Sequence, residues 1–163
     1  MTLKSKIYSK IKNSFLFKIV IFSIFVIALR FLLPFHVCKV YGESMLPNYK
    51  DGMIVVADKV YADTKIERYD VVVSKTDIGI IIKRVVGLPG EEIEIDLDGN
   101  ILSNGKFLNE WKSYTAEDMT IINTSKYVLA EDEYFLIGDN VNHSSDSRKL
   151  GPIKLQNIMG IVR

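Results

Sequence analysis

The chain has 163 residues, 48% of them hydrophobic and 25% charged, which fits one modest domain or a small domain with an anchor and excludes a disordered or collagen-like chain. One cysteine, Cys38, excludes an intrachain disulfide framework, and two histidines beside it leave too few ligands for a structural zinc site. The net charge of +1 hides a segregation: residues 1–35 carry six basic groups and no acid, whereas residues 36–163 carry fifteen basic and twenty acidic groups, a body of −5 that lacks the basic footprint of a nucleic-acid binder.

Residues 1–14 form a basic segment. Phe15 to Leu33 then reads FLFKIVIFSIFVIALRFLL. Nineteen helical residues rise about 28 Å, close to the roughly 30 Å of a hydrocarbon core. Lys18 and Arg30 lie near its ends, where a long side chain can reach the headgroups, and Ser23 is the only polar residue between them. The lysines up to residue 18 orient the N-terminus to the cytoplasm. The expectation is a single transmembrane anchor over 15–35, with residues 36–163 outside the cytoplasm. A cleaved signal peptide shares the basic and apolar regions, but Ala28-Leu29-Arg30 and Pro34-Phe35-His36 are poor cleavage sites. A buried soluble helix is the other reading.

From residue 38 onward the apolar runs are short, β-branched and bounded by turn residues: Met53–Ala57, Asp70–Ser74, Ile78–Val86, Glu92–Leu97, Tyr127–Leu129, Tyr134–Ile137 and Ile158–Val162. Asp98-Gly99 and Asn104-Gly105 suit tight hairpins. Residues 113–120 could hold a short helical turn. The stretch Glu91–Asp132 looks like an elaboration between two functional strands. The expected class is mainly β, a compact antiparallel domain behind one helix.

Four blocks in this body stand out. Gly42-Glu43-Ser44-Met45-Leu46-Pro47 begins about eight residues beyond the anchor, so Ser44 should lie close to the membrane surface. Its hydroxyl needs a neighbouring base to become a nucleophile; alone, the block reads as a plain loop. Arg68-Tyr69-Asp70-Val71-Val72-Val73 enters a strand and carries no reactive group. Ile80 to Gly90 interrupts an apolar strand with Lys83-Arg84, which must point to opposite faces. An unperturbed lysine is neutral in about one molecule in a thousand at pH 7.4, and burial among Ile81, Ile82 and Val85 would raise that share. A protective edge lysine is the competing reading. Phe135 to Arg148 runs from a buried-type strand into a polar loop, either a solvated turn or a shell that holds charges in place.

These blocks, in this order behind an anchor, resemble type I signal peptidases, whose patterns are S-M-x-P, G-D-[IV]-V, K-R-V-x-G-x-P-G and G-D-N-x-x-x-S-x-D-S-R. The resemblance spans the chain from the anchor to the last strand. It implies a β-rich catalytic domain that cuts signal peptides from exported precursors at the outer membrane face. It implies Ser44 as nucleophile and Lys83 as general base, working without cofactor or metal. By the same resemblance Ser144 hydrogen-bonds the lysine amine, Asp139 pairs with Arg84, and Asp146 and Arg148 brace the loop. Val40, Met45, Val73 and Ile82 help line shallow pockets for the substrate residues before the cut. Gly42 stands where some members carry a second serine that donates to the oxyanion. Tyr69 replaces a usual glycine, Asn48 a frequent threonine, Val141 a common arginine and His143 a common asparagine. The expected partners are precursor proteins and membrane lipid, not nucleic acid. A peptidase restricted to one client, or a non-catalytic tethered assembly factor, are the alternative readings.

Overall fold

The computed structural model describes residues 3–96, 100–108 and 125–163, with side chains of the first helix described at 14–28. The chain divides into two units, Met1–Pro34 and Phe35–Arg163. Helix α1 (Leu3–Leu32) runs 30 residues without a glycine or proline, and Pro34 stops it. Its large apolar side chains from Phe15 to Ile27 stand exposed without forming one face, Phe15 at 64% and Phe22 at 67%. The described side chains cover about 22 Å of helix axis. Among the described residues no helix is long and apolar enough to cross a membrane. The anchor expected over 15–35 lies partly outside these side chains.

The second unit is built from strands: β1 (Phe35–Lys39), β2 (Ile54–Lys59), β3 (Val71–Thr76), β4 (Gly79–Gly87), β5 (Glu92–Ile95), β6 (Ile101–Ser103), β7 (Lys106–Phe107), β8 (Ser125–Val128), β9 (Glu133–Ile137), β10 (Ile153–Lys154) and β11 (Ile158–Val162). A single helical turn, α2 (Ser147–Leu150), precedes β10. Seven strands form one antiparallel sheet in the order β1-β2-β11-β3-β4-β9-β10, and β7-β6-β5-β8 form a second. The chain between β4 and β9 thus makes a sheet of its own where the sequence suggested an elaboration.

Strand β9 shows why the body has two cores. Its run Glu-Tyr-Phe-Leu-Ile is buried on both faces, so no polar alternation appears. Tyr134 and Leu136 point to a cluster with Val72, Val85, Ile153 and Ile158. Phe135 and Ile137 point to the other, with Val86 and with Ile93 and Ile101 of the second sheet. The β4–β9 register slips by one residue between Val85 and Gly87, a bulge at Val86 that bends β4. Gly87 fills the pinch beyond it, where a Cβ would lie 2.7 Å from Phe135 Cβ and 2.9 Å from Ile93 Cδ1. Asn104 (φ 48°) and Gly105 (φ 74°) form the expected left-handed hairpin between β6 and β7.

Strands β1 and β10 and turn α2 were not anticipated. Strand β1 occupies residues expected to be a plain connection, because His36, Cys38 and Lys39 interrupt its apolar pattern. It pairs with β2 through His36–Ala57 and Cys38–Val55 on one face and Val37–Val56 on the other. Turn α2 is four residues long, too short for any periodic signal. Asp98-Gly99, the end of the expected strand at Leu97 and the possible helical turn at 113–120 lie outside the described residues.

Candidate active site

The turn that carries Ser44 is tied at its base by continuation of the β1–β2 pairing. Val40 N–H donates to Met53 O at 2.8 Å and Gly52 N–H to Val40 O at 2.9 Å. Gly42 takes a left-handed conformation, φ 78°, and donates its N–H to Asp51 Oδ1 at 2.8 Å. Leu46 N–H then returns to Glu43 O at 3.1 Å and Tyr49 N–H to Met45 O at 2.8 Å, with a cis peptide at Leu46–Pro47. A tight turn results, and Ser44 is its partly exposed second residue.

Strand β4 supplies the basic pair. Lys83 lies opposite Val72 and Arg84 opposite Val71 in the β3–β4 ladder, so the two side chains leave on opposite faces. Lys83 is 3% exposed. Its Nζ donates to Ser44 Oγ at 2.7 Å and to the Ile82 carbonyl at 2.8 Å. Burial pushes the amine below the usual lysine range; the carboxylates of Asp146 and Asp139 oppose that shift and the Arg148 charge adds to it.

The loop after β9 holds everything else in place. Asp139, whose side chain is 4% exposed, accepts Arg84 Nε at 2.9 Å and Nη2 at 2.7 Å, and Asn48 Nδ2 at 2.8 Å. Arg84 Nη1 donates to the carbonyl of Tyr69 at 2.8 Å. Tyr69 has φ 75°, rare for a side chain of its size, at the position where the resembling family keeps glycine. Asn140 grips the Ser44 turn from the other side: its N–H donates to Ser44 O and its Nδ2 to Glu43 O, both at 3.0 Å. Gly138 presses on the same turn, since a Cβ there would sit 2.5 Å from Ser44 O and 2.3 Å from Ser144 Oγ.

Asp146 is fully buried. It accepts Arg148 Nε and Nη2, both at 2.6 Å, and Gly138 N–H at 3.0 Å. Burial raises its carboxyl above the ordinary range, against the nearby Ser144 hydroxyl, the N–H groups of Gly138 and Arg148 and the Lys83 charge. Arg148 is lowered to about 10 by burial, and its Nη2 also donates to Val141 O at 2.8 Å. Ser147, wholly buried, accepts Leu136 N–H at 2.9 Å and so pins this loop to β9.

The structure therefore brings Ser44, Lys83, Asp139, Arg84, Asp146 and Arg148 into one constellation. Ser144 departs from its expected partner. Its Oγ is buried without a hydrogen-bond partner among the described residues. The Ile82 carbonyl takes the second bond of Lys83 Nζ. Gly42 offers no N–H toward the serine, because Asp51 occupies it. Val40, Met45 and Val73 are buried and Ile82 is partly exposed. Of the other reactive types, His143 is exposed, and burial raises the Cys38 thiol, which disfavours a thiolate there. The roles of Asn140 and Asn48 went unread in the sequence. Asn140 was visible within the Gly-Asp-Asn pattern and Asn48 as a replacement of a frequent threonine, but neither showed which group it meets.

A family model described as "Signal peptidase, peptidase S26" matches residues 12–163. Signal peptidase I V of Bacillus subtilis (strain 168) is 38% identical over 141 residues, covering 76% of this chain and 81% of that protein. Signal peptidase I U of the same organism is 32% identical over 158 residues, covering 91% and 82%. A crystal structure of a signal peptidase I from Enterococcus faecalis V583 is 25% identical, with a TM-score of 0.49 and coverage of 61% of this chain and 98% of its own. The chain belongs to the signal peptidase family, peptidase S26.

Proposed function

We propose that this chain is a signal peptidase I, a serine endopeptidase that removes N-terminal signal peptides from exported precursors with Ser44 as nucleophile and Lys83 as general base. The observation that carries the reading is the buried Lys83 amine 2.7 Å from Ser44 Oγ. A neutral amine has two hydrogens and one lone pair. With one N–H directed at the Ile82 carbonyl, the lone pair is free to accept the Ser44 hydroxyl proton.

Ser44 Oγ attacks the scissile carbonyl as its proton passes to Lys83 Nζ. The negative oxygen of the tetrahedral intermediate is met by the Ser44 backbone N–H. The C–N bond then breaks, and Lys83 gives its proton to the departing amine, the new N-terminus of the mature protein. An ester joins Ser44 to the signal peptide. Lys83 next takes a proton from water, whose oxygen attacks the ester, and returns it to Ser44 Oγ as the free peptide acid leaves. Asp139 and Arg84, and Asp146 and Arg148, are charge pairs that hold the two strands and the loop around this exchange. The substrate lies extended along a strand edge. Val40, Met45, Val73 and Ile82 form the apolar walls that admit small side chains before the cut.

The exposed apolar side chains of Phe15–Ile27 support α1 as a membrane anchor, with a cytoplasmic N-terminus and the β unit on the outer side. The relatives are signal peptidases by name, which favours this reading over a non-catalytic assembly factor or a single-client enzyme.

The test is a synthetic peptide whose apolar run ends in Ala-x-Ala, presented to the full chain in detergent. The parent should cut after the second alanine, and S44A and K83A should each lose about 10³-fold or more in kcat/KM. Cleavage by K83A at the parent rate overturns the dyad.

A further inference from the structure

One carboxylate touches both halves of the dyad's support. Asp139 accepts two bonds from Arg84, the neighbour of Lys83 in β4, and a third from Asn48, four residues beyond Ser44. The near end of the nucleophile turn is held independently, by Asn140 on the carbonyls of Glu43 and Ser44. The turn is thus fastened at both ends, and its far end has one charge-assisted side-chain bond to the polar loop. Asn48 is itself exposed, so its contribution to packing is small, whereas the oxygen it meets belongs to a nearly buried carboxylate. A turn free at that end would let Ser44 Oγ drift from the amine, and a misplacement of about 1 Å can cost about 10²-fold in rate.

We infer that Asn48 is a positioning residue for the acylation step: through Asp139 it sets the turn that carries Ser44 against the strand that carries Lys83. This rests on the dyad reading above. The bond forms only with a donor at position 48. Alanine removes the donor. Aspartate keeps the shape but turns a second carboxylate toward Asp139. Glutamine keeps the amide on a longer stem, for which the exposed site has room.

The experiment uses the full chain in detergent with the Ala-x-Ala peptide. N48A and N48D should each lower kcat about 10-fold with KM changed less than twofold, and N48Q should return to within about threefold of the parent. Thermal melting by circular dichroism reports the folded fraction of each variant, and N48D keeps the test open if N48A does not fold. Unchanged kcat in N48A and N48D, with S44A inactive, overturns the inference and leaves the dyad standing. A rise in KM alone, or a fall in kcat that only follows loss of folded protein, overturns it as well. A parent that does not cut, or an S44A that cuts like the parent, overturns the dyad reading and this inference with it.

Discussion

At the scale of single residues, the proposed chemistry rests on a lysine that the fold makes costly to charge. Lys83 is depressed by burial, so the folded protein binds its proton less tightly than the unfolded chain does. The penalty is full below the folded pKa. It fades as pH rises from that value toward the ordinary lysine range. K83M should therefore be more stable than the parent at neutral pH, by about 1–2 kcal/mol, and the gap between their melting temperatures should narrow as pH increases. The cleavage rate of the parent should climb as pH rises toward and through the folded pKa and level off above it, since the proposed base works only when uncharged. Parallel melts and initial rates from neutral to alkaline pH check both; a stability gap that widens with pH contradicts them. The sequence paired Lys83 with Ser44 only through the resemblance of the ordered blocks to signal peptidases; the basic pair inside an apolar strand reads by itself as a protective edge lysine. The partner of its second N–H was not legible: a backbone carbonyl leaves no mark in residue identity.

At the scale of elements, the decisive contact is between the end of β9 and the nucleophile turn. Gly138 is there because nothing larger fits between Ser144 Oγ and Ser44 O. G138A should destabilise the fold by about 1–3 kcal/mol and, in the fraction that remains folded, lower cleavage by pushing Ser44 away from Lys83. Urea unfolding with rates per folded molecule separates the two effects; an undisturbed rate and midpoint would contradict the contact. Strands β3, β4, β9 and β11 were readable because β-branched runs between turn residues have a single good structural answer. The edge strand β1 was hidden, since its partner residues lie fifteen or more positions on and its own composition is mixed. Asn48 and Asn140 were hidden for a related reason. Polar loop residues look alike until the fold shows which carbonyl or carboxylate each one meets.

At the scale of the whole molecule, charge and hydropathy are sorted along the chain: a basic apolar N-terminal segment, then an acidic body of −5. Anionic lipid attracts the first part and repels the second. The full chain should float with anionic phospholipid vesicles on a density gradient, and a chain beginning at Phe35 should float far less. Equal flotation of the two would remove the helix from the account of membrane binding. That shortened chain should still unfold cooperatively, since both apolar clusters lie within Phe35–Arg163.

The left-handed Gly42 bears on how this enzyme could be altered. A methyl group added there would meet nothing within 4 Å, so bulk is no obstacle. Chirality is: at φ 78° an L-residue costs about 1 kcal/mol. Grafting the hydroxyl that some relatives carry at this point would strain the peptide that leads into the nucleophile, and Asp51 already claims its amide. Improvement of this catalyst by mutation is therefore better sought elsewhere than in a copied alcohol.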